Sequence, residues 1–173
     1  PPAAASLPLR TNGGRNGGTI TAEPPEAPGV WIRPPPAFLP PQAPWARAIP
    51  PWTLRSARQF RPEPPPDLDS HKWIRDYNEA KAHGPATDSA RTAEQTDIGL
   101  FWADQPMLQW NRAWRGISDG GGLSVLENER LFAMMAATSS DALIACWDAK
   151  YRYMFWRPVT ATRAGGGNAE LEG

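Results

Sequence analysis

Beyond Pro66 the apolar positions recur with a helical period. Asp69 or Ser70 can cap a helix whose Trp73, Ile74, Tyr77 and Ala80 share one face, and Gly84-Pro85 ends it. Thr92-Ala-Glu-Gln95 has the form of a capping box, and Ile98, Phe101 and Trp102 follow at i, i+3, i+4. Behind Pro106, the spacing of Met107, Trp110, Trp114 and Ile117 predicts a third amphipathic helix, broken by Gly120-Gly-Gly122. Ser124-Val-Leu-Glu127 is a second capping box, opening a helix expected to run to about Ala149. From Leu131 to Trp147 that helix is apolar nearly all round, interrupted only by Thr138-Ser-Ser-Asp141, and such a helix belongs at the centre of a bundle. No segment alternates with a period of two, and there are no internal repeats. The predicted class is all-α, part of a helical bundle.

Before Pro66 the pattern is different. Eighteen of the 21 prolines lie within residues 1–66. Proline clashes with a preceding helical turn and biases its neighbour to extended geometry, so no helix is expected there. Residues 1–22, with Gly-Gly twice and few large apolar groups, are expected to be disordered. Residues 23–66 carry Trp31, Ile32, Phe38, Leu39, Trp45, Trp52, Leu54 and Phe60, more large side chains than a free linker uses. They read as an extended arm laid over a globular surface. The other reading is a polyproline ligand, with Pro25-x-x-Pro28 or Pro41-x-x-Pro44 offered to a partner domain. Residues 67–173 then form the helical part.

Charge narrows the field of partners. Eighteen basic residues balance 18 acidic ones, which gives no electrostatic grip on nucleic acid or an anionic membrane. The longest purely apolar run, Leu131 to Ala137, is far short of the roughly 20 residues that span a bilayer. The single Cys146 has no partner for an internal disulfide, no Cys/His cluster suggests zinc, and its apolar neighbours predict a small buried hydrophobe rather than a nucleophile. His71 and His83 read as surface or capping histidines, not as metal ligands. The chain opens without Met or a signal-peptide pattern and closes with no element finished, so it reads as a piece of a longer protein.

Candidate chemistry gathers after the central helix. Lys150 stands at its C-terminal end, where an ammonium complements the helix dipole, and Trp147, Tyr151, Tyr153, Phe155 and Trp156 crowd it with aromatic surface. Arg157 precedes Pro158 and so is expected just outside regular helix. An ammonium and a guanidinium brought together repel unless an anion lies between them. A tetrahedral or trigonal-bipyramidal oxyanion meets that need, with Arg157 binding two oxygens and Lys150 supplying a point charge. The plainer reading is two surface cations whose stems cover aromatic rings.

Lys-x6-Arg-Pro at 150–158 resembles the first signature of the superfamily that joins vanadium-dependent haloperoxidases with type 2 phosphatidic acid phosphatases. The bacterial haloperoxidase-like branch is the more similar, through Ser89 to Thr96, Phe101-Trp102, Ser140 to Lys150, and Phe155 to Ala161. Thr162 departs from the pattern, where an aliphatic residue is expected. The family's Pro-Ser-Gly-His and later Ser-Arg…His segments have no counterpart here, since both histidines precede Lys150.

The resemblance implies an enzyme whose cofactor is vanadate and whose substrates are halide and hydrogen peroxide, with Lys150 and Arg157 as catalytic and vanadate-binding residues. Lys150 would hydrogen-bond the peroxide and Arg157 would neutralise oxygen charge. On the phosphatase branch there is no cofactor; the same pair steadies the phosphoryl group of a phosphomonoester while a histidine attacks. A third reading, a non-catalytic module acting through its proline-rich arm, stays open, as does homo-oligomerisation. The resemblance also favours a soluble periplasmic or secreted protein. Without the histidine segments, the 173-residue chain alone is expected to turn over neither peroxide nor phosphoester.

Overall fold

The computed structural model describes residues 24–167 and residue 171. The expected disorder of residues 1–22 concerns positions outside that range. Among the described residues there are five α-helices: α1 (His71–His83), α2 (Ala93–Trp102), α3 (Pro106–Gly120), α4 (Val125–Tyr153) and α5 (Pro158–Arg163). They include no strand, only an isolated antiparallel bridge between Val30 and Phe155. The class is all-α. Residues 24–66 form no α-helix; a short 3-10 turn at Pro44–Ala48 packs on α4.

The helix starts follow from their caps. Ser70 rather than Asp69 caps α1, its hydroxyl accepting the Trp73 N–H at 3.2 Å. Thr92 and Gln95 complete a reciprocal box on α2, and Ser124 and Glu127 complete one on α4. Pro106 stands in the first turn of α3, where its missing N–H costs no helical bond.

α4 runs past Ala149 to Tyr153. Its last turn is held from outside the helix: the Tyr151 hydroxyl donates to the Gln42 carbonyl, and the Tyr153 hydroxyl donates to the Pro62 carbonyl at 2.7 Å. The helix ends on Met154, which adopts the left-handed conformation (φ 44°, ψ 42°) and donates its N–H to the Lys150 carbonyl.

The main core cluster lies at one end of the molecule, where Trp73, Tyr77, Trp156, Ala161 and Leu171 pack together, flanked by Leu68, Ile74 and Phe155. Trp73 stacks on Trp156 with centroids 5.8 Å apart and meets Phe155 edge-on at 5.6 Å. The turn at Gly165–Gly167 closes this cluster, and Trp73 donates its indole N–H to the Gly166 carbonyl at 3.0 Å. Gly166 has φ +72°, and a Cβ there would meet Leu171 Cδ1 at 2.7 Å. Only glycine satisfies both the conformation and the space.

One packing expectation, at Cys146, is not met. The helices are those of a helical-bundle fragment, and the described ones do not enclose α4. Only Asp141, Ile144 and Tyr151 on it are buried, while Val125, Leu126 and Met134 stay exposed. Its apolar circumference is covered by the proline-rich segment along one face and touched by α3, whose Trp114 is buried. The apolar faces of α2 and α3 are likewise open, with Ile98, Phe101, Trp102, Met107, Trp110 and Ile117 exposed. Cys146, expected to be buried, is exposed. It lies on the open side of α4, beside Trp110, Trp114, Met135 and Leu143 in a shallow apolar groove.

Candidate oxyanion site

The end of α4 sets the positions of both candidate cations. Lys150 lies in its last turn, and the left-handed Met154 then swings the chain out of the helix axis. The next residues run antiparallel to Gly29–Trp31: the Trp31 N–H donates to the Met154 carbonyl at 2.6 Å, and the Trp156 N–H donates to the Gly29 carbonyl at 3.1 Å. This short pairing fixes the link between Lys150 and Arg157. Arg157 is extended (φ −86°, ψ 155°) and serves as the N-cap residue of α5, with Pro158 in its first turn, as the Arg-Pro pair predicts.

Lys150 and Arg157 line one cleft of about 800 Å³. One wall is the end of α4 with Tyr151 and Met154; the facing wall is the proline-rich stretch through Pro34–Pro36 and Leu39–Gln42, with Trp31 at its edge. Among the described residues neither cation has a carboxylate partner. The half-buried Lys150 ammonium lies 4.9 Å from the Trp147 ring centroid and 5.3 Å from that of Tyr151, within cation–π reach of both. Burial, and after it the charge of Arg157, hold Lys150 below the ordinary lysine range, with Cys146 acting in the opposite sense. Burial raises the Tyr151 phenol, opposed by Arg157 and Arg47. The field of Arg157 therefore reaches both Lys150 and Tyr151. Two cations beside aromatic rings, with no carboxylate partner among the described residues, suit an oxyanion such as vanadate or phosphate and not a bare metal ion.

Three features of the site escape sequence reasoning. The proline-rich segment is one wall of the cleft, so its large side chains serve the same site as the helix. The Gln42 carbonyl accepts both the Trp147 indole N–H at 3.0 Å and the Tyr151 hydroxyl, and the Arg47 guanidinium donates to the Tyr151 carbonyl at 3.4 Å. Asp141, the one acid in the apolar stretch of α4, is buried and accepts from the N–H groups of Trp52, Thr53 and Leu54 and from the Thr53 hydroxyl, at 2.6–3.1 Å. The signal was present: a lone acid in an apolar helix requires a partner. The identity of that partner, nearly ninety residues earlier, had no local trace. His71 is exposed at the start of α1, and His83 is half-buried with its Nδ1 3.1 Å from the Glu79 carbonyl; both lie apart from the residues that line the cleft.

Residues 130–172 match the family model described as the VCPO second helical-bundle domain. Among solved structures, the chain is similar to a bacterial vanadium-dependent iodoperoxidase, with a TM-score of 0.68 and 27% sequence identity over 90% of its own length. It spans 40% of that chain. No curated protein matches it.

Proposed function

The chain is a vanadium haloperoxidase-like superfamily member, and from that premise we propose that Lys150 and Arg157 form the oxyanion-binding part of a vanadate-dependent haloperoxidase. The observation that carries the reading is the pairing of the two cations in one cleft without any carboxylate partner among the described residues. The family match spans both residues.

In this reading the Arg157 guanidinium holds two oxygens of the anion through its planar fork, and Lys150 places a third donor on it from the end of α4. The Lys150 ammonium lies within cation–π reach of the Trp147 and Tyr151 rings, which orient it before the anion arrives. Burial first and the Arg157 charge second depress the Lys150 proton affinity, and a bound anion would offset the second. Prolines and Leu39 form the apolar flank of the cleft. When bound, vanadate supplies a Lewis acid that activates hydrogen peroxide toward halide. The metal-ligating histidine of the family pattern belongs to no described residue near the cleft, so halide oxidation is proposed for the protein that contains both parts.

Arg157→Lys tests this reading. It keeps the charge and removes the fork, and charge-assisted hydrogen bonds contribute roughly 1.5–3 kcal/mol each. Affinity for orthovanadate or phosphate should fall by about tenfold or more in equilibrium dialysis. Unchanged affinity would return Arg157 to the role of a surface cation.

A further inference from the structure

We infer that Asp141 is a positioning residue for the Lys150–Arg157 cleft: it clamps to α4 the same segment whose proline-rich stretch forms the cleft's facing wall. This rests on the oxyanion reading above. Asp141, Asp148 and Tyr151 fall at i, i+7 and i+10, on one face of α4. Along that face they hold three successive parts of the segment. Tyr151 donates to the Gln42 carbonyl, Asp141 binds residues 52–54, and Asp148 accepts Arg61 through two bonds at 2.7 and 3.0 Å.

The Asp141 carboxylate is the most heavily bonded of these anchors. Three backbone N–H groups and one hydroxyl converge on it in a buried position. Three of those donors converge on Oδ2 and one on Oδ1, all from residues 52–54, which makes the carboxylate a clamp on that segment. The wall needs one. Residues 34–36, 40 and 41 are prolines, which have no N–H with which to join a ladder or helix. The wall is strung between two anchors, the Trp31 N–H on the Met154 carbonyl and the Gln42 carbonyl under Trp147 and Tyr151. The chain continues from Gln42 through the 3-10 turn to the Asp141 clamp. Asp141 lies nine residues before Lys150, about 14 Å along the helix, so it acts on the cleft only through this segment.

The test uses the whole chain carrying Asp141→Asn, which keeps the side chain's shape while removing the charge and one acceptor. Amide hydrogen exchange should accelerate at residues 52–54 and also at Trp31 and Phe38 in the wall. Orthovanadate affinity should fall roughly tenfold, the scale on which groups supporting a ligand from behind act. Thr53→Val, which removes one of the four bonds, should shift both readouts the same way by less, and Thr53→Ser should restore them. These milder variants decide the matter even where Asp141→Asn unfolds. Acceleration confined to residues 52–54, with wild-type vanadate affinity, overturns the inference. Absence of vanadate binding by the wild-type chain would instead defeat the oxyanion reading, and the exchange at Trp31 and Phe38 would then judge the clamp by itself.

Discussion

Lys150 stands where two influences oppose its charge, burial first and the neighbouring guanidinium second. Its proton affinity in the fold is therefore below that of an unfolded lysine. Between the folded value and the ordinary one, the unfolded chain binds more protons than the folded chain, so stability rises with pH across that window. Anion binding has the opposite slope, because it needs the protonated ammonium. Sulfate keeps one charge state in this range and so isolates the protein's own titration. Its affinity should drop on the alkaline side at a pH below the ordinary lysine range, and Lys150→Met should lack that step. A wild-type profile that stays flat until the ordinary lysine range would show that the ammonium is neither buried nor in the field of Arg157. At this scale the spacing of Lys150 and Arg157 left an anion site and two surface cations both open, and the fold places the two residues on one cleft. The sequence did not name the partner of Asp141 and misjudged Cys146, because burial of a single position on α4 depends on which distant segment covers that side.

Among the elements, the starts of helices were legible and their partners were not. The capping residues at Ser70, Thr92 and Ser124 act within four residues of themselves, so the sequence contains the whole interaction. The end of α4 was placed short at Ala149 because Tyr151 and Tyr153 are held by Gln42 and Pro62, which no local pattern reveals. The α4 box offers a clean check. Ser124 donates its N–H and hydroxyl to the Glu127 carboxylate at 2.9 and 2.6 Å, and these bonds hold that carboxyl below its usual range. Stabilisation of this kind is present above the unfolded carboxylate value and is lost as pH falls through the folded one. Ser124→Ala should cost about 1 kcal/mol in urea unfolding at neutral pH, with a smaller penalty in acid. An unchanged midpoint at neutral pH would mean that the first turn of α4 is not formed by this box.

Across the whole molecule, the proline-rich segment packs along α4. Composition alone set residues 23–66 apart, and it hid that Trp31, Leu39 and the prolines face Lys150 across a single cleft. On the other side of the molecule, the apolar faces of α2, α3 and the first half of α4 remain exposed, which is why the period-3.6 pattern predicted helices correctly but not their covering. No described helix is long and apolar enough to cross a membrane, so these faces are not explained by a bilayer span. The central claim is that the two cations act together on one anion. It is tested most directly by titrating the chain with orthovanadate while following the Lys150 Nζ and Arg157 Nε resonances in a nitrogen-labelled sample. The account predicts that both signals shift along a single binding curve, that phosphate competes for it, and that Arg157→Lys moves the Lys150 curve to higher concentration. Signals that do not respond, or a Lys150 response unchanged by Arg157→Lys, would contradict it.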